Sequence, residues 1–273
     1  MKALFRVLLS VLSMPVFSRI YGRLTRIKWP RFFVREIIDF FKDVYKVDMD
    51  EYVGNPADYA SLSDFFVRPL DPQKRPLIPE EKMIVSPADG VIRGIETIHE
   101  DKATQVKGIY YAVSDVIRES VDFSTGWHMA VIYLSPRDYH RYHYPVSGKI
   151  EGYCHARGSL FPVNSIGMTS VKKLFVRNER VVTRFKKNGL PLYVVAVGAT
   201  FVGGIRMVFI DKIKRDKRWK ELALEVKQLD EMGRFELGST IIMLVPTELA
   251  QPLPDIKDQP VKVGEPIFSI IKK

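Results

Sequence analysis

The 273-residue sequence lacks the features that mark several special classes of protein. It has a single cysteine, Cys154, so no disulfide can form within the chain, which fits a reducing compartment. It contains no low-complexity tract and no internal repeat. A composition of 46% hydrophobic and 27% charged residues is that of a folded globular protein.

The first 35 residues contain no acidic side chain, although the whole chain carries a net charge of +10. Such a charge predicts a polyanionic partner. The basic residues that precede Glu36 lie among Leu, Phe, Val and Trp, and they are Lys2, Arg6, Arg19, Arg23, Arg26, Lys28, Arg31 and Arg35. Basic residues mixed with apolar ones are typical of a segment that lies in the membrane interface and binds anionic lipid. We therefore expect an anionic phospholipid membrane as partner, and no nucleic acid, because no nucleic-acid-binding signature is present.

Other interpretations of this N-terminal segment stay open. Arg6 and Pro15 interrupt its apolar run, which is too short for the roughly 20 residues of a membrane-spanning helix. Lys2 followed by a short apolar run resembles a secretory signal peptide, but no small-residue cleavage site follows. An ordinary buried helix pair is the third alternative. The missing cleavage site predicts a peripheral location on the cytoplasmic side of a membrane.

Helical spacing follows this segment. From residue 30 to 47 the apolar positions recur at helical intervals and predict one amphipathic helix packed on the rest of the protein; they are Phe33, Ile37, Phe40, Phe41, Val44 and Val47. Residues 55–81 are rich in Pro, Asp and Ser, which indicates a short helix and then a linker. We place a domain boundary near residue 75, between a helical membrane-docking region (1–75) and a second domain (76–273).

The second region is predicted to be mainly antiparallel β-structure, which makes the fold class α+β. Short runs rich in Val and Ile are separated by Gly, Pro and Asp. These runs are MIVSPADGVI, QVKGIYYAV, HMAVIYLS, LPLYVVAVGATFVGGIRMVFI, ELALEVKQL, STIIMLV and EPIFSII. The basic segment 211–220 is predicted to be a solvated loop or hairpin tip.

Three polar motifs interrupt this β region. Asp89 lies in SPADG, His140 and His143 lie in SPRDYHRYHYP, and Ser239 lies in ELGST. A serine hydroxyl becomes nucleophilic when a histidine takes its proton and a carboxylate orients that histidine. Gly238 also stands within the strand-like run FELGSTIIML, where a glycine marks either a β-bulge or a site of chemistry.

Several other kinds of site fit these residues less well. Two histidines three residues apart are compatible with a metal site, but no third-ligand motif is recognisable. LGSTI lacks the Gly-x-Ser-x-Gly pattern of a nucleophile elbow. The glycines of VGATFVGG do not have the spacing of a Walker or dinucleotide-binding motif.

In combination, the motifs resemble those of the phosphatidylserine decarboxylase family. The segments that carry the resemblance run in order from about residue 60 to the C-terminus, and they are DFFVRPL, SPADG, VKGIYY, DYHRYHYPVSG, LFPVN, VGATFVGG and EMGRFELGST. The resemblance implies a proenzyme that cuts its own chain between Gly238 and Ser239. Ser239 would be the nucleophile, His143 the general base and Asp89 the residue that orients His143.

The resemblance also implies the products of this cut and the later reaction. Residues 1–238 would form the β chain and residues 239–273 the α chain, with a pyruvoyl group derived from Ser239 at the new N-terminus. This covalent cofactor would form a Schiff base with phosphatidylserine, release CO2 and give phosphatidylethanolamine, without metal or pyridoxal phosphate. His140 would transfer a proton during decarboxylation. The bacterial inner membrane is the implied location, and a homodimer is left open.

Two departures from the family pattern accompany the resemblance. Gly203-Gly204-Ile205 stands where Gly-Ser-Ile is usual, and KQLDEMGRF stands where a Gly-containing stretch of the KGEE type is common. Two other functions compete with a decarboxylase. A lipid-directed serine hydrolase would use Asp89, His143 and Ser239 without cutting the chain. A membrane-binding β module without catalysis would keep all its measurable properties when Ser239 is replaced by Ala.

Overall fold

The computed structural model describes Ile20 and residues 22–106, 108–200, 204–210, 218–236 and 239–271. Its helices are α1 (Arg31–Tyr45), α2 (Leu62–Phe66), α3 (Val113–Ile117), α4 (Ser165–Ser170) and α5 (Leu174–Arg177). Its strands are β1 (Met83–Val85), β2 (Gly90–Ile98), β3 (Ala103–Val106), β4 (Ile109–Tyr111), β5 (Trp127–Leu134), β6 (Arg141–His143), β7 (Gly148–Ala156), β8 (Arg180–Lys187), β9 (Leu190–Gly198), β10 (Ile205–Met207), β11 (Trp219–Val226), β12 (Glu231–Phe235), β13 (Ser239–Pro246), β14 (Ala250–Pro252), β15 (Pro260–Val261) and β16 (Pro266–Ile270).

The strands form one large sheet and three smaller ones. The large sheet has eight strands in the order β11-β7-β8-β9-β13-β5-β2-β15. Two sheets of three strands, β1-β16-β14 and β10-β12-β6, and the pair β3-β4 complete the set. All pairings between named strands are antiparallel, which confirms the predicted mainly antiparallel β-structure.

Strand β13 lies near the centre of the large sheet and is buried on both faces. Its apolar run is continuous rather than alternating, as expected for a strand covered on both sides. Ile242 and Leu244 pack into one core with α1 and α2, while Ile241 and Met243 pack into a second core with residues of β6, β12 and β16. Because side chains alternate along a strand, Ser239 belongs to the face of Ile241 and Thr240 to the face of Ile242.

The run FELGSTIIML is not one strand, contrary to the sequence-based expectation. Strand β12 ends at Phe235 in a three-stranded sheet, and β13 begins at Ser239 in the eight-stranded sheet. The chain therefore passes from one sheet to the other between Phe235 and Ser239, and Ser239 is the first residue of β13. Gly238 itself lies outside the described residues.

The helix predicted over residues 30–47 is confirmed as α1, but its buried face differs from the predicted one. Val34, Ile38 and Phe41 are the buried residues. Phe33, Phe40 and Val44, which were expected to pack on the protein, are exposed. Eight aliphatic or phenylalanine positions are spread around this helix, and periodicity alone cannot say which of its apolar faces meets the core.

Residues 1–19 and 21, on which most of the membrane-docking prediction rests, lie outside the described residues. Within the part that is described, no helix combines the length and the apolarity required to cross a bilayer. The boundary near residue 75 stays a prediction, although α1 and α2 share a core with one face of the large sheet. Residues 211–217 are likewise not described, whereas Trp219 and Lys220, predicted to lie in a loop, begin β11.

Candidate active site

Ser239 is the first residue of β13 and is held from both sides. It pairs with Leu134 of β5 and with Gly198 of β9. Its side chain is fully buried, and its Oγ has no hydrogen-bond partner among the described residues. Buried polar atoms are nearly always paired, and an unpaired one costs about 1–3 kcal/mol. An unpaired hydroxyl at this position is therefore an unusual feature that requires an explanation.

His140 is a second buried group with an unpaired nitrogen. Its Nδ1 lies 2.8 Å from the carbonyl oxygen of Asp138, while its Nε2 is buried without a partner in the described chain. The ring packs on Phe66 with centroids 4.0 Å apart. Burial lowers the pKa of His140 to about 3, and the Arg68 guanidinium adds to this effect. His140 is thus neutral at pH 7, and the bond to Asp138 fixes the proton on Nδ1.

His143 lies in β6, and both of its nitrogens have partners. Nδ1 is 2.7 Å from the carbonyl oxygen of Leu229, so Nδ1 carries the proton. Nε2 is 3.0 Å from the Tyr139 hydroxyl, which therefore donates to it. Burial lowers the pKa of His143, and the bond to Leu229 opposes this shift. The imidazole is neutral and basic at Nε2, as a general base must be.

The structure does not join Asp89 to His143 by a hydrogen bond. Both carboxylate oxygens of Asp89 accept hydrogen bonds from Arg75, at 2.5 and 2.7 Å, and one of them also accepts from the backbone nitrogen of Val263 at 2.8 Å. The charge of Asp89 still raises the pKa of His143 slightly, so the two groups are electrostatic neighbours. The predicted orienting role of Asp89 stays a prediction.

The DFFVRPL segment holds the loop that carries both histidines. Arg68 is fully buried, and its guanidinium donates to the carbonyl oxygens of Arg137 and Asp138 at 2.7 and 3.4 Å. Arg141 in turn donates to the carbonyl of Val67 at 2.8 Å. These contacts reach across more than sixty residues of sequence, so the motif positions His140 rather than forming an independent unit.

Asn178 forms a hydrogen bond to β9, the strand whose last residue pairs with Ser239. Its fully buried side chain accepts from the backbone nitrogen of Phe161 and donates to the carbonyl oxygens of Phe161 and Gly198, at 3.0, 2.8 and 2.9 Å. Gly198 is the residue that pairs with Ser239. Asn178 therefore links the LFPVN loop to the end of β9 and to Ser239.

A cavity of about 560 Å3 opens on the Thr240 face of β13. The Oγ1 of Thr240 is buried and has no partner among the described residues. Three segments of the family resemblance contribute to the wall. The lining residues are Arg93, Gln105, Val106, Val131, Tyr133, Val163, Asn164, Ser165, Met168, Thr169, Phe175 and Thr240. The residue that follows Ser239 in the sequence, Thr240, thus lines this cavity.

The glycine that departs from the family pattern has a conformation suited to glycine. Gly204 has φ +152°, which other residues rarely adopt. A Cβ at this position would lie 3.4 Å from a carboxylate oxygen of Glu236. The side chain of Glu236 also pairs with Arg26 and Arg206. A serine here would need this ion cluster to shift.

Sequence reasoning missed the residues that hold the site together. Arg75, Arg93 and Asn178 lie outside the recognised motifs, and the partners of Arg75 and Asn178 are 14 and 20 residues away, so no local pattern identifies them. Tyr139 lies within DYHRYHYP, four residues before its partner His143. Within the described ranges, no three His, Cys, Asp or Glu side chains come together as metal ligands.

The fold and the site define an antiparallel β protein with a buried serine and two buried histidines where two sheets meet. Comparison with known proteins then identifies the family. The family model described as phosphatidylserine decarboxylase matches residues 62–269. The chain belongs to the phosphatidylserine decarboxylase family.

Curated relatives match over most of their length. A phosphatidylserine decarboxylase proenzyme of Saccharophagus degradans is 36% identical over 98% of this chain and 97% of its own. The proenzyme of Bordetella pertussis is 39% identical over 91% and 88%, and that of Brevibacillus brevis is 35% identical over 89% of each chain. These similarities support a carboxy-lyase and give no support to the serine hydrolase alternative.

Proposed function

We propose that this chain is the proenzyme of a phosphatidylserine decarboxylase that cuts itself between Gly238 and Ser239. The observation that carries this proposal is the buried, unpartnered Oγ of Ser239 at the entrance to β13, in a chain of this family. Because this hydroxyl has no hydrogen-bond partner among the described residues, no such bond has to break before it attacks the preceding carbonyl carbon.

In the self-cleavage that we propose, the Ser239 hydroxyl loses its proton and attacks the Gly238 carbonyl carbon. The peptide bond is replaced by an ester. Loss of the Ser239 Cα proton then eliminates the Gly238 carboxylate, and hydrolysis of the resulting enamine releases ammonia and leaves a pyruvoyl group on residues 239–273. His143 is the proposed base, and the attack requires its Nε2 to exchange the Tyr139 hydroxyl for the Ser239 proton.

The pyruvoyl group supplies a carbonyl that condenses with the amine of phosphatidylserine and takes up the electrons of the broken Cα–CO2 bond. The ketone carbon of this group would be the Cα of residue 239, next in the chain to Thr240, which lines a cavity large enough for a lipid head group, and in this respect the residues present fit the group. His140 keeps a neutral Nε2 without a partner among the described residues, and its carbonyl oxygen accepts from the backbone nitrogen of Phe235, four residues before Ser239. We propose that His140 transfers the proton that replaces CO2.

We also propose that the protein is peripheral on the cytoplasmic side of a bacterial inner membrane. Exposed apolar side chains of the N-terminal part support this, among them Leu24, Trp29, Phe32 and Phe40. Arg23, Lys28 and Arg31, which lie between them, are exposed as well. Apolar and basic groups together bind an anionic lipid surface.

Denaturing mass analysis of the purified protein tests the proposed cleavage. We expect two fragments, residues 1–238 and 239–273, with the smaller one blocked at its N-terminus, and a single chain for Ser239→Ala. His140→Ala should be cut normally but should not release CO2 from phosphatidylserine. A folded wild-type protein that remains one intact chain would contradict the proposal.

A further inference from the structure

Arg93 is placed at the cavity by an irregularity of β2. The register of β2 against β5 shifts between Ile92 and Gly94, so Arg93 and Gly94 together oppose Val131. A β-bulge of this kind re-aims a side chain, and bulges are common beside active sites. Gly94 adds no side chain there, and a Cβ built on it would meet nothing within 4 Å. The bulge thus presents an arginine beside open space.

Arg93 is the one charged side chain among the described residues that line the cavity. Its guanidinium lies over the Tyr133 ring, 5.7 Å from the centroid. Tyr133 in turn pairs with Thr240 on β13 and with Val91 on β2. No described carboxylate forms an ion pair with Arg93, so its donors are available to an anion. Arg93 is itself exposed, so an anion can reach its donors from solvent.

The distance from Arg93 to the start of β13 suits a phospholipid head group. Two strand spacings and three residues along β2 separate Arg93 from Ser239, which corresponds to about 14 Å between Cα atoms. The long side chain of Arg93 covers about half of this interval. A short chain of single bonds joins the amine of phosphatidylserine to its phosphate. An amine at residue 239 therefore leaves the phosphate near the guanidinium.

We infer that Arg93 binds the phosphate of the phosphatidylserine head group and determines substrate affinity; this inference rests on the proposed function. The carboxylate is the less suitable partner for Arg93. A cation that held the carboxylate would stabilise the ground state and lose its contact as CO2 leaves, which would slow the reaction. The phosphate is unchanged between substrate and product, so binding it costs no catalytic rate. Arginine also matches phosphate with paired, charge-assisted hydrogen bonds.

The test compares Arg93→Gln with wild type, using a short-chain phosphatidylserine that is monomeric in solution, so that membrane binding does not contribute. We expect KM to rise about tenfold or more, as for loss of a charged hydrogen bond, with a smaller change in kcat. Arg93→Lys should fall between the two. Arg177→Gln is the matched control, because Arg177 is an exposed arginine over an aromatic ring, Phe161, and does not line the cavity.

Inhibition experiments identify the group that Arg93 binds. Glycerophosphoethanolamine carries the phosphate but no carboxylate. We expect it to compete with the substrate in wild type and to lose about tenfold in inhibition with Arg93→Gln. An increase in KM without any change in this inhibition would assign Arg93 to the carboxylate and overturn the inference.

Self-cleavage is a separate readout. KM does not depend on the fraction of chains that have matured, so a slower cut in Arg93→Gln does not obscure the result. If wild type neither cuts itself nor releases CO2, the proposed function fails. If wild type does both and the KM of Arg93→Gln equals that of Arg177→Gln, only the inference about Arg93 fails.

Discussion

At the residue scale, Ser239 Oγ and His140 Nε2 are two of the site's buried polar atoms that have no partner among the described residues. Each costs stability, about 1–3 kcal/mol, that a hydrogen bond or an apolar replacement would recover. Such groups persist in a folded protein when function requires them, and both positions here are ones that we assign to chemistry. Stability and reactivity therefore oppose each other at Ser239 and His140.

The low pKa of His140 makes a testable contribution to stability. Its pKa is about 3 when folded and near 6.5 when unfolded, so only the unfolded chain binds this proton between those values. Stability is therefore lost as the pH falls from about 6.5 toward 3. In a Ser239→Ala background, which remains one chain, His140→Gln should reduce the slope of unfolding free energy against pH by up to about 1.4 kcal/mol per unit.

Urea unfolding between pH 6.5 and 4 measures this slope. His99→Gln, which removes an exposed histidine, is the matched control. A slope that is the same with and without His140 would show that the buried imidazole is not held neutral.

Asn178 offers a second residue-scale prediction. Asn178→Asp keeps the acceptor for Phe161 but places a carboxylate against the carbonyl oxygens of Phe161 and Gly198. We expect a loss of about 2–4 kcal/mol in unfolding free energy, because the buried charge has no partner. Self-cleavage should also slow, since Gly198 pairs with Ser239.

The measurements are urea unfolding in the Ser239→Ala background and the time course of the cut after cell-free synthesis. Asn188→Asp makes the same exchange at an exposed turn and should affect neither. Equal behaviour of the two variants would remove Asn178 from the support of the site.

At the scale of elements, α1 presents two apolar stripes with different surroundings. Val34, Ile38 and Phe41 face the core, whereas Phe33, Phe40 and Val44 form an exposed stripe about a quarter-turn away. Burying both stripes needs a second surface. The neighbouring basic residues favour an anionic bilayer as that surface.

A double variant within this stripe, Phe40→Ser with Val44→Ser, tests this interpretation. These two side chains are 71% and 53% exposed, so their loss should leave the fold intact. Binding to vesicles of phosphatidylglycerol and phosphatidylcholine should fall by roughly tenfold to a hundredfold, from the apolar area no longer buried in lipid. Vesicle co-sedimentation provides the measurement.

The control is Ile78→Ser with Val208→Ser, which removes two other exposed apolar side chains, distant from α1 in sequence. Loss of vesicle binding in both double variants would show that the effect is not specific to α1.

At the scale of the whole molecule, a cut before Ser239 would divide the large sheet at its centre. β13 pairs with β5 over eight residues and with β9 over six. Its five central side chains, Ile241 to Val245, have no exposed surface. At about 1.5–3 kcal/mol each, their burial amounts to roughly 7–15 kcal/mol. This burial is independent of the bond that precedes Ser239.

We therefore expect residues 1–238 and 239–273 to remain associated after cleavage. Size exclusion in native buffer should give one species that co-elutes with uncut Ser239→Ala, and denaturant should separate the pieces. Elution of the small fragment by itself in native buffer would show that the central strand is not held by the sheet.

The sequence was sufficient to predict the mainly antiparallel β-structure, helix α1 and the family. Those predictions depend on local patterns, namely short Val- and Ile-rich runs, helical periodicity and motifs of a few residues. The chemistry-bearing residue types, Asp89, His140, His143 and Ser239, were also visible as short polar interruptions of apolar runs.

Only the tertiary structure decided how these residues are partnered. Arg75 donates hydrogen bonds to the carboxylate of Asp89. The carbonyl oxygen of Leu229 and the hydroxyl of Tyr139 bond to the two nitrogens of His143. Strands β12 and β13, which precede and follow Gly238 in the sequence, belong to different sheets. These sheets pair strands that are far apart in the chain. A polar or charged side chain then bonds to whichever group this pairing brings within hydrogen-bonding distance. A local pattern carries no information about such a partner, and this is the physical reason why the contacts of the site could not be predicted.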